Sequence, residues 1–237
     1  MLLADGEVHV WCTPLDGHGP DVRFLEAQLS SEERARALRF KFSQDQVRYV
    51  ISHGVLRHIL SFYLRVDPRD LKLAAGANGK PELGPIPQKG LVQFNMSRSR
   101  EVALFAVSRS GEIGIDVEYV DENFAFDEIV RQFFPPAESA TLDSLPLPLR
   151  REAFFRCWTC KEALVKAKGT GLGSALDEIA IAQTGNTLAL RNADPTWSLT
   201  ELNPAPGYVG ALAVETHDTR VKCWQWPPRE TQAARRG

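Results

Sequence analysis

Asp116, Glu118, Glu162 and Lys166 are the residues of this chain whose types and spacing could do chemistry. Gly114-Ile115-Asp116-Val117-Glu118 reads as a strand. Side chains alternate along a strand, so Gly114, Asp116 and Glu118 share one face while Ile113, Ile115, Val117 and Tyr119 share the other. Two carboxylates about 6.6 Å apart, at a rise of roughly 3.3 Å per residue, can converge on one ion. Further along, the stretch from Phe154 to Gly173 puts Trp158, Lys161, Glu162 and Lys166 on one helix. Three carboxylates with lysines beside one of them can hold a divalent cation against a phosphate ester. The acidic strand face is expected to be open to solvent, with Gly114 leaving room for a ligand. Spacing alone does not choose between this site and two ordinary arrangements. A pair of strand acids is commonly a solvated face, and Glu162 four residues before Lys166 is the favoured helix-surface ion pair, worth about 0.2–0.5 kcal/mol.

Those side chains need helices and strands to hold them. One long helix is expected over 45–64, ended by Asp67-Pro68, and another over 150–168, stopped by Gly169 and Gly171. Strands are expected at 91–95, 102–107 and 113–120, joined by Gly/Ser turns. A meander follows at 178–183, 187–191, 197–202, 208–215 and 221–226. The strand at 7–11 returns about 105 positions later at 112–117, and 101–107 is echoed by 208–214. The fold class is therefore α+β: a pseudo-twofold pair of similar halves, 1–111 and 112–237, with helices on antiparallel sheet and the active site in the cleft between them. At the same offset the first half carries Trp11, Thr13 and Arg57 in place of the acids, so one site is expected.

The chain has 237 residues, 43% hydrophobic and 24% charged, enough for one large domain or two small ones at roughly 100–200 residues each. Its net charge of −2 argues against nucleic-acid binding by bulk field. No apolar run approaches the ~18 residues of a membrane span, and MLLADGEVHV has no basic leader, so a cytoplasmic protein without membrane association is expected. Cys12, Cys157, Cys160 and Cys223 read as reduced thiols. The Cys157/Cys160 pair falls mid-helix with no second such pair, and reads as small buried side chains rather than a zinc site. Most of the clustered arginines, Arg34, Arg36, Arg39 and Arg48 among them, read as solvated surface.

Two loops add polar groups. Asn78-Gly79-Lys80-Pro81 fixes a lysine beside a rigid proline, and Phe94-Asn95-Met96-Ser97-Arg98-Ser99 is expected to end a strand with groups able to hold a phosphate. Gly-x-x-x-x-Gly-Lys, the spacing of a phosphate-cradling loop, is absent. The order N-G-K-P, F-N-x-S-x-S, G-I-D-V-E and W-x-x-K-E-A-x-x-K with G-x-G-L resembles the surfactin-type phosphopantetheinyl transferases, the long form made of two halves. Arg131 to Glu138 resembles a further stretch of that family.

The resemblance implies transfer of the phosphopantetheine arm of coenzyme A to a serine of an apo carrier protein, acyl or peptidyl, in fatty-acid, polyketide or nonribosomal peptide synthesis. It implies a monomer in which Asp116, Glu118 and Glu162 ligate magnesium, with manganese as a substitute. Glu162 and Lys166 would be the catalytic pair. Lys166 would meet the pyrophosphate of coenzyme A, Lys80, Ser97 and Arg98 its nucleotide portion, and Arg34 and Arg36 its phosphates, a task Glu33 could not share, with Pro81, Asp116 and Lys161 also among the coenzyme A-binding residues. The chain departs from the family at Arg98, where histidine is usual. Arginine keeps a permanent, bidentate charge there. Two other readings share these acids: a magnesium-dependent phosphoryl or nucleotidyl transferase acting on a small molecule, and a non-catalytic carrier-protein binder.

Overall fold

The structure is a computed structural model and describes residues 3–17, 21–76, 81–84, 92–170, 179–184, 187–192, 194–216 and 219–228. The first half runs β1 (Glu7–Pro14), α1 (Val22–Glu26), α2 (Ser31–Ala37), α3 (Ser43–Leu64), β2 (Leu73–Ala75), β3 (Pro81–Leu83), β4 (Gln93–Ser99) and β5 (Val102–Ser108). The second runs β6 (Ile113–Tyr119), α4 (Asp127–Phe133), α5 (Pro136–Asp143), α6 (Leu147–Lys168), β7 (Ile179–Thr184), β8 (Thr187–Asn192), β9 (Ser198–Leu202), β10 (Tyr208–Val214) and β11 (Arg220–Gln225).

Local chemistry sets several boundaries. Ser30 and Glu33 form a reciprocal capping box that starts α2. The helix α6 stops at Gly169, whose φ of 67° is left-handed, as its sequence position predicts. The helix α3 stops before the expected breaker: Arg65 adopts φ 57° and donates its N–H to Ser61 O, so the turn closes ahead of Pro68.

The strand β5 is buried along its whole length and explains the layering. Ala103, Phe105 and Val107 pack with Val55, Leu56 and Ile59 of α3, while Val102, Leu104 and Ala106 pack with Ile115, Val117 and Leu212 of the other sheet. In the second half, Ala211 and Ala213 of β10 pack with Phe154, Ala163 and Leu164 of α6. The molecule is thus four layers deep, helix, sheet, sheet, helix, with an apolar seam between the sheets.

The repeat expected from the sequence is present in the register. Val8 of β1 stands opposite Ser108 of β5, and Ile113 of β6 stands opposite Val214 of β10. Ser108 is in turn paired with Gln93, and Val214 with Ser198, so each half carries the same three-strand antiparallel unit. Both long helices have 22 residues and both end in a left-handed cap. Aligned end to end, they put His58 in the place of Glu162 and Phe62 in that of Lys166, so the counterpart of Glu162 is His58 rather than Arg57. Arg57 is itself buried, pairing with Glu33 at 2.7 Å and donating to the carbonyls of Pro68 and Leu71.

Two expectations about the strands are corrected. The late strands do not form a continuous meander: β7 pairs with β8, β9 with β10, and β11 crosses to lie parallel to β1 at the edge of the first sheet. Lys222 ties it there through a 2.6 Å ion pair with Glu7. The strand β4 does not stop at Asn95 but runs through the Asn-x-Ser-x-Ser motif, because Asn95, Ser97 and Ser99 form one face of it.

Gly114 also departs from its expected role. A Cβ built on it would lie 2.0 Å from Ala163 O and 2.5 Å from Ala167 N, so the missing side chain admits helix α6 and not a ligand. At the matching place in the first half, His9 and Tyr63 fill the gap, His9 Nδ1 lying 2.6 Å from the Tyr63 hydroxyl. One helix therefore sits down on its sheet and the other is propped away from it. Gly114→Ala is expected to lower the stability of the protein by on the order of 1–3 kcal/mol, the range for overpacking, because the obstructing atoms are backbone. Urea unfolding with an unchanged slope would measure it.

Candidate active site

The close approach of α6 to β6 brings Lys166 against Asp116. Lys166 Nζ donates to Asp116 Oδ1 at 2.7 Å and to Ser97 Oγ at 3.0 Å, and Ser97 Oγ donates to the same carboxylate oxygen at 2.8 Å. Three elements from both halves thus meet at one carboxylate. Asp116 is 3% exposed, against the expectation of an open strand face, because α6 covers it. Its other oxygen, Oδ2, is buried and has no hydrogen-bond partner. A buried orphan acceptor on a carboxylate is costly unless a cation or donor reaches it.

The polar face of β4 positions this corner. Asn95 Oδ1 accepts from Ile115 N at 3.0 Å, and Ser99 Oγ accepts from Tyr119 N at 3.1 Å while donating to Glu118 Oε2 at 2.8 Å. Alternate residues of β4 therefore satisfy the free edge of β6 with side chains. The Asn-x-Ser-x-Ser motif, read as a phosphate holder, joins the two sheets, and Ser97 alone of the three also lines the cleft.

Burial pushes Glu118 up to about 7, with Asp116 adding to the shift and Glu162 contributing further. Glu162 is likewise raised by burial and by Asp116. The three acids feel one another's charge, yet among the described residues no three His, Cys, Asp or Glu side chains are gathered closely enough to hold a metal ion. The ammonium of Lys166 stands at Asp116 instead. Carboxylate oxygens, one of them an orphan in the interior, are hard donors of the kind a divalent cation takes.

Beside this corner lies a cleft of about 460 Å³. Arg36, Pro81, Ser97, Arg98 and Lys166, all expected at the site, line it together with Tyr49 and His53. The sequence reading missed the last two. Tyr49 and His53 are one helical turn apart on α3 and stack with ring centroids 3.8 Å apart, and the guanidinium of Arg98 lies 5.8 Å from the Tyr49 centroid. Their i, i+4 spacing on the helix facing Arg98 was the available signal. His53 is held neutral, its pKa lowered to about 3 by burial and then by Arg98.

Two expected residues lie elsewhere. Lys161 is fully buried and points away from the cleft, 3.1 Å from Glu138 and with its ammonium 5.1 Å from the Phe134 ring centroid. One helical position turns a side chain by about 100°, which separates Lys161 from Glu162. Arg34 is exposed on α2 and does not line the cleft, whereas Glu33 does, held by Ser30 and Arg57. Lys80 lies outside the described residues. Cys157 and Cys160 are buried in the packing of α6, and burial raises both thiols, Cys160 to about 12.

Comparison with known proteins reaches both halves. The pattern of the 4′-phosphopantetheinyl transferase superfamily matches residues 112–213, and that of the 4′-phosphopantetheinyl transferase N-terminal region matches 18–110. The chain is 42% identical over 227 residues, 95% of each chain, to the 4′-phosphopantetheinyl transferase HetI of Nostoc sp.. It is 31% identical over 166 residues, 69% of this chain and 68% of the other, to the 4′-phosphopantetheinyl transferase psf-1 of Bacillus pumilus. To the 4′-phosphopantetheinyl transferase Sfp of Bacillus subtilis it is 28% identical over 153 residues, 65% of this chain and 66% of the other.

The state of His53 has a thermodynamic consequence. The unfolded chain charges this residue near ~6.5 while the folded protein keeps it neutral down to about 3, so unfolding takes up a proton below ~6.5 and stability falls as the pH drops from there. His53→Gln is expected to recover about 1 kcal/mol of the stability lost between pH 7 and 5, the full shift being discounted for the partial exposure of the ring. Urea unfolding of both proteins at the two pH values measures the difference.

Proposed function

We propose that this chain, which belongs to the 4′-phosphopantetheinyl transferase superfamily, moves the phosphopantetheine arm of coenzyme A onto a serine of an apo acyl or peptidyl carrier protein and releases 3′,5′-ADP. The two-half, surfactin-type form is the reading for its subfamily, with halves 1–111 and 112–237 and β11 exchanged between them. One observation carries the site: Lys166 from the second half and Arg36, Ser97 and Arg98 from the first line a single cleft, beside a buried carboxylate with an orphan oxygen.

In that cleft the cationic side chains take the negative charge of coenzyme A. Arg98 and Arg36 hold phosphate oxygens of the nucleotide, and the neutral, stacked Tyr49 and His53 offer a flat apolar wall to its base. Asp116, Glu118 and Glu162 would hold magnesium, or manganese in its place, and such an ion supplies charge neutralisation at the pyrophosphate. The carrier serine oxygen bonds to the phosphorus that bears the pantetheine arm, and the bond from that phosphorus to the oxygen of 3′,5′-ADP breaks. Glu162, made more basic by burial and by Asp116, takes the serine proton directly or through one water. Lys166 stands by to stabilise the departing oxygen. The exposed arginines of α2 and its flank suit an acidic helical carrier protein.

Incubation with coenzyme A and a panel of apo carrier proteins, followed by intact mass, tests the assignment. A carrier gains the arm in the presence of magnesium and not with a serine-to-alanine carrier. Labelling of a small molecule and of no carrier would favour a phosphoryl or nucleotidyl transferase. Arg98→Ala is expected to raise the KM for coenzyme A about tenfold and to change kcat less than about twofold, because the contact is remote from the breaking bond. If Arg98 holds the 3′-phosphate, dephospho-coenzyme A will bind wild type more weakly than coenzyme A does and will bind Arg98→Ala with almost no further loss. Equal losses in both proteins would remove Arg98 from that contact.

A further inference from the structure

The repeat has a second copy of the active-site corner, and in this chain it is aromatic. The positions of Asp116, Glu162 and Lys166 are taken in the first half by Trp11, His58 and Phe62, and these three line one pocket of about 400 Å³ with Ile59 and Trp226. It opens on the opposite face of α3 from Tyr49 and His53, so it is separate from the cleft already described. Trp11 and Ile59 are buried, while Phe62 is 50% exposed. His58 stands between rings, stacked on Phe24 at 5.2 Å and tilted towards Trp226 at 6.0 Å.

Two observations mark this pocket as built to receive something. It is held open from within, because Tyr63 receives Trp11 Nε1 at 3.0 Å and meets His9 Nδ1 at 2.6 Å, and this prop replaces the close approach seen at Gly114. Its volume falls in the range of roughly 300–1,000 Å³ usual for ligand pockets. Second, one polar atom of its lining is buried without a partner. Trp11 Nε1 donates to Tyr63 and Ser61 Oγ donates to the carbonyl of His58, whereas His58 Nε2 is buried with no hydrogen-bond partner. A buried, unpaired ring nitrogen costs stability that a ligand's polar group would recover.

We propose that this pocket binds a small neutral aromatic molecule carrying one hydroxyl group, a phenol, with its ring against Trp11 and Trp226 and its hydroxyl at His58 Nε2. Flat walls favour a flat ring in offset or edge contact. The absence of charged side chains from the described lining favours a neutral ligand. A hydroxyl both donates and accepts, so it satisfies either tautomer of His58.

The test follows the indole N–H resonances of Trp11 and Trp226 by two-dimensional NMR during titration with p-cresol, with toluene as the isosteric control lacking the hydroxyl. Saturable shifts at both indoles are expected with a Kd on the order of 1 mM, and about tenfold weaker binding of toluene. His58→Phe should weaken p-cresol to the level of toluene and leave toluene unchanged, while Phe62→Ala at the rim should weaken both alike. If His58→Phe does not fold, the p-cresol and toluene comparison in wild type and Phe62→Ala decides. Absence of saturable shifts, equal binding of the two probes by wild type, or sedimentation showing that a second copy of the chain covers the pocket would overturn the proposal.

Discussion

A carboxylate that α6 shuts away from water has to be compensated, and Asp116 is compensated by Ser97 from the first half and Lys166 from α6. Burying an ion without partners costs several kcal/mol, so this corner cannot form until β4, β6 and α6 are all in place. Asn95 and Ser99 extend the same logic along the seam, where side chains of one sheet satisfy the backbone edge of the next. The two halves are therefore joined by polar groups at the place where the chemistry is proposed to happen, while the apolar seam behind packs Val102, Leu104 and Ala106 against Ile115, Val117 and Leu212.

The repeat shows one architecture carrying two different sets of side chains. Strand register and helix length agree between the halves to the residue, yet α6 lies close along β6 and β10 whereas α3 does not lie so close on its own sheet. Glycine at 114 brings a helix close enough for lysine and aspartate to meet, whereas His9 and Tyr63 at the matching positions hold a helix off and leave an aromatic hollow. A difference of one or two side chains under the helix sets how closely it approaches the sheet, and the residues at the matched positions set whether charges or rings meet there.

Much of this was legible in the sequence because it rests on local pattern. The long helices, the alternating strand at 113–120, the glycine cap and the acid–lysine inventory follow from periodicity and propensity. The offset of about 105 residues between the halves was visible in the strand echoes at 7–11 and 112–117. What was not legible depends on partners distant in sequence. Nothing local says that β11 leaves its neighbours for β1, and nothing local says that the acidic face of β6 is covered by α6 rather than water. The error at Lys161 was avoidable, since a helical wheel places it about 100° from Glu162 and nearer the core. The serine motif of β4 was legible only in part, because hydroxyls that could hold a phosphate can equally hold a strand edge: Asn95 and Ser99 hold the edge of β6, while Ser97 also lines the cleft.

The exchange of β11 onto β1 bears on how the chain is made and folded. A parallel pair between Glu7–Cys12 and Arg220–Gln225 closes a loop spanning nearly all of the intervening residues, so its contacts are as non-local as this fold allows. Non-local pairing slows the search for the native state. During synthesis the first half emerges long before the strand that completes its sheet, and β1 presents an open edge throughout that interval. The nascent first half is thus open to edge-to-edge association at β1 until β11 is translated, and a chaperone holding β1 until release would shield that edge.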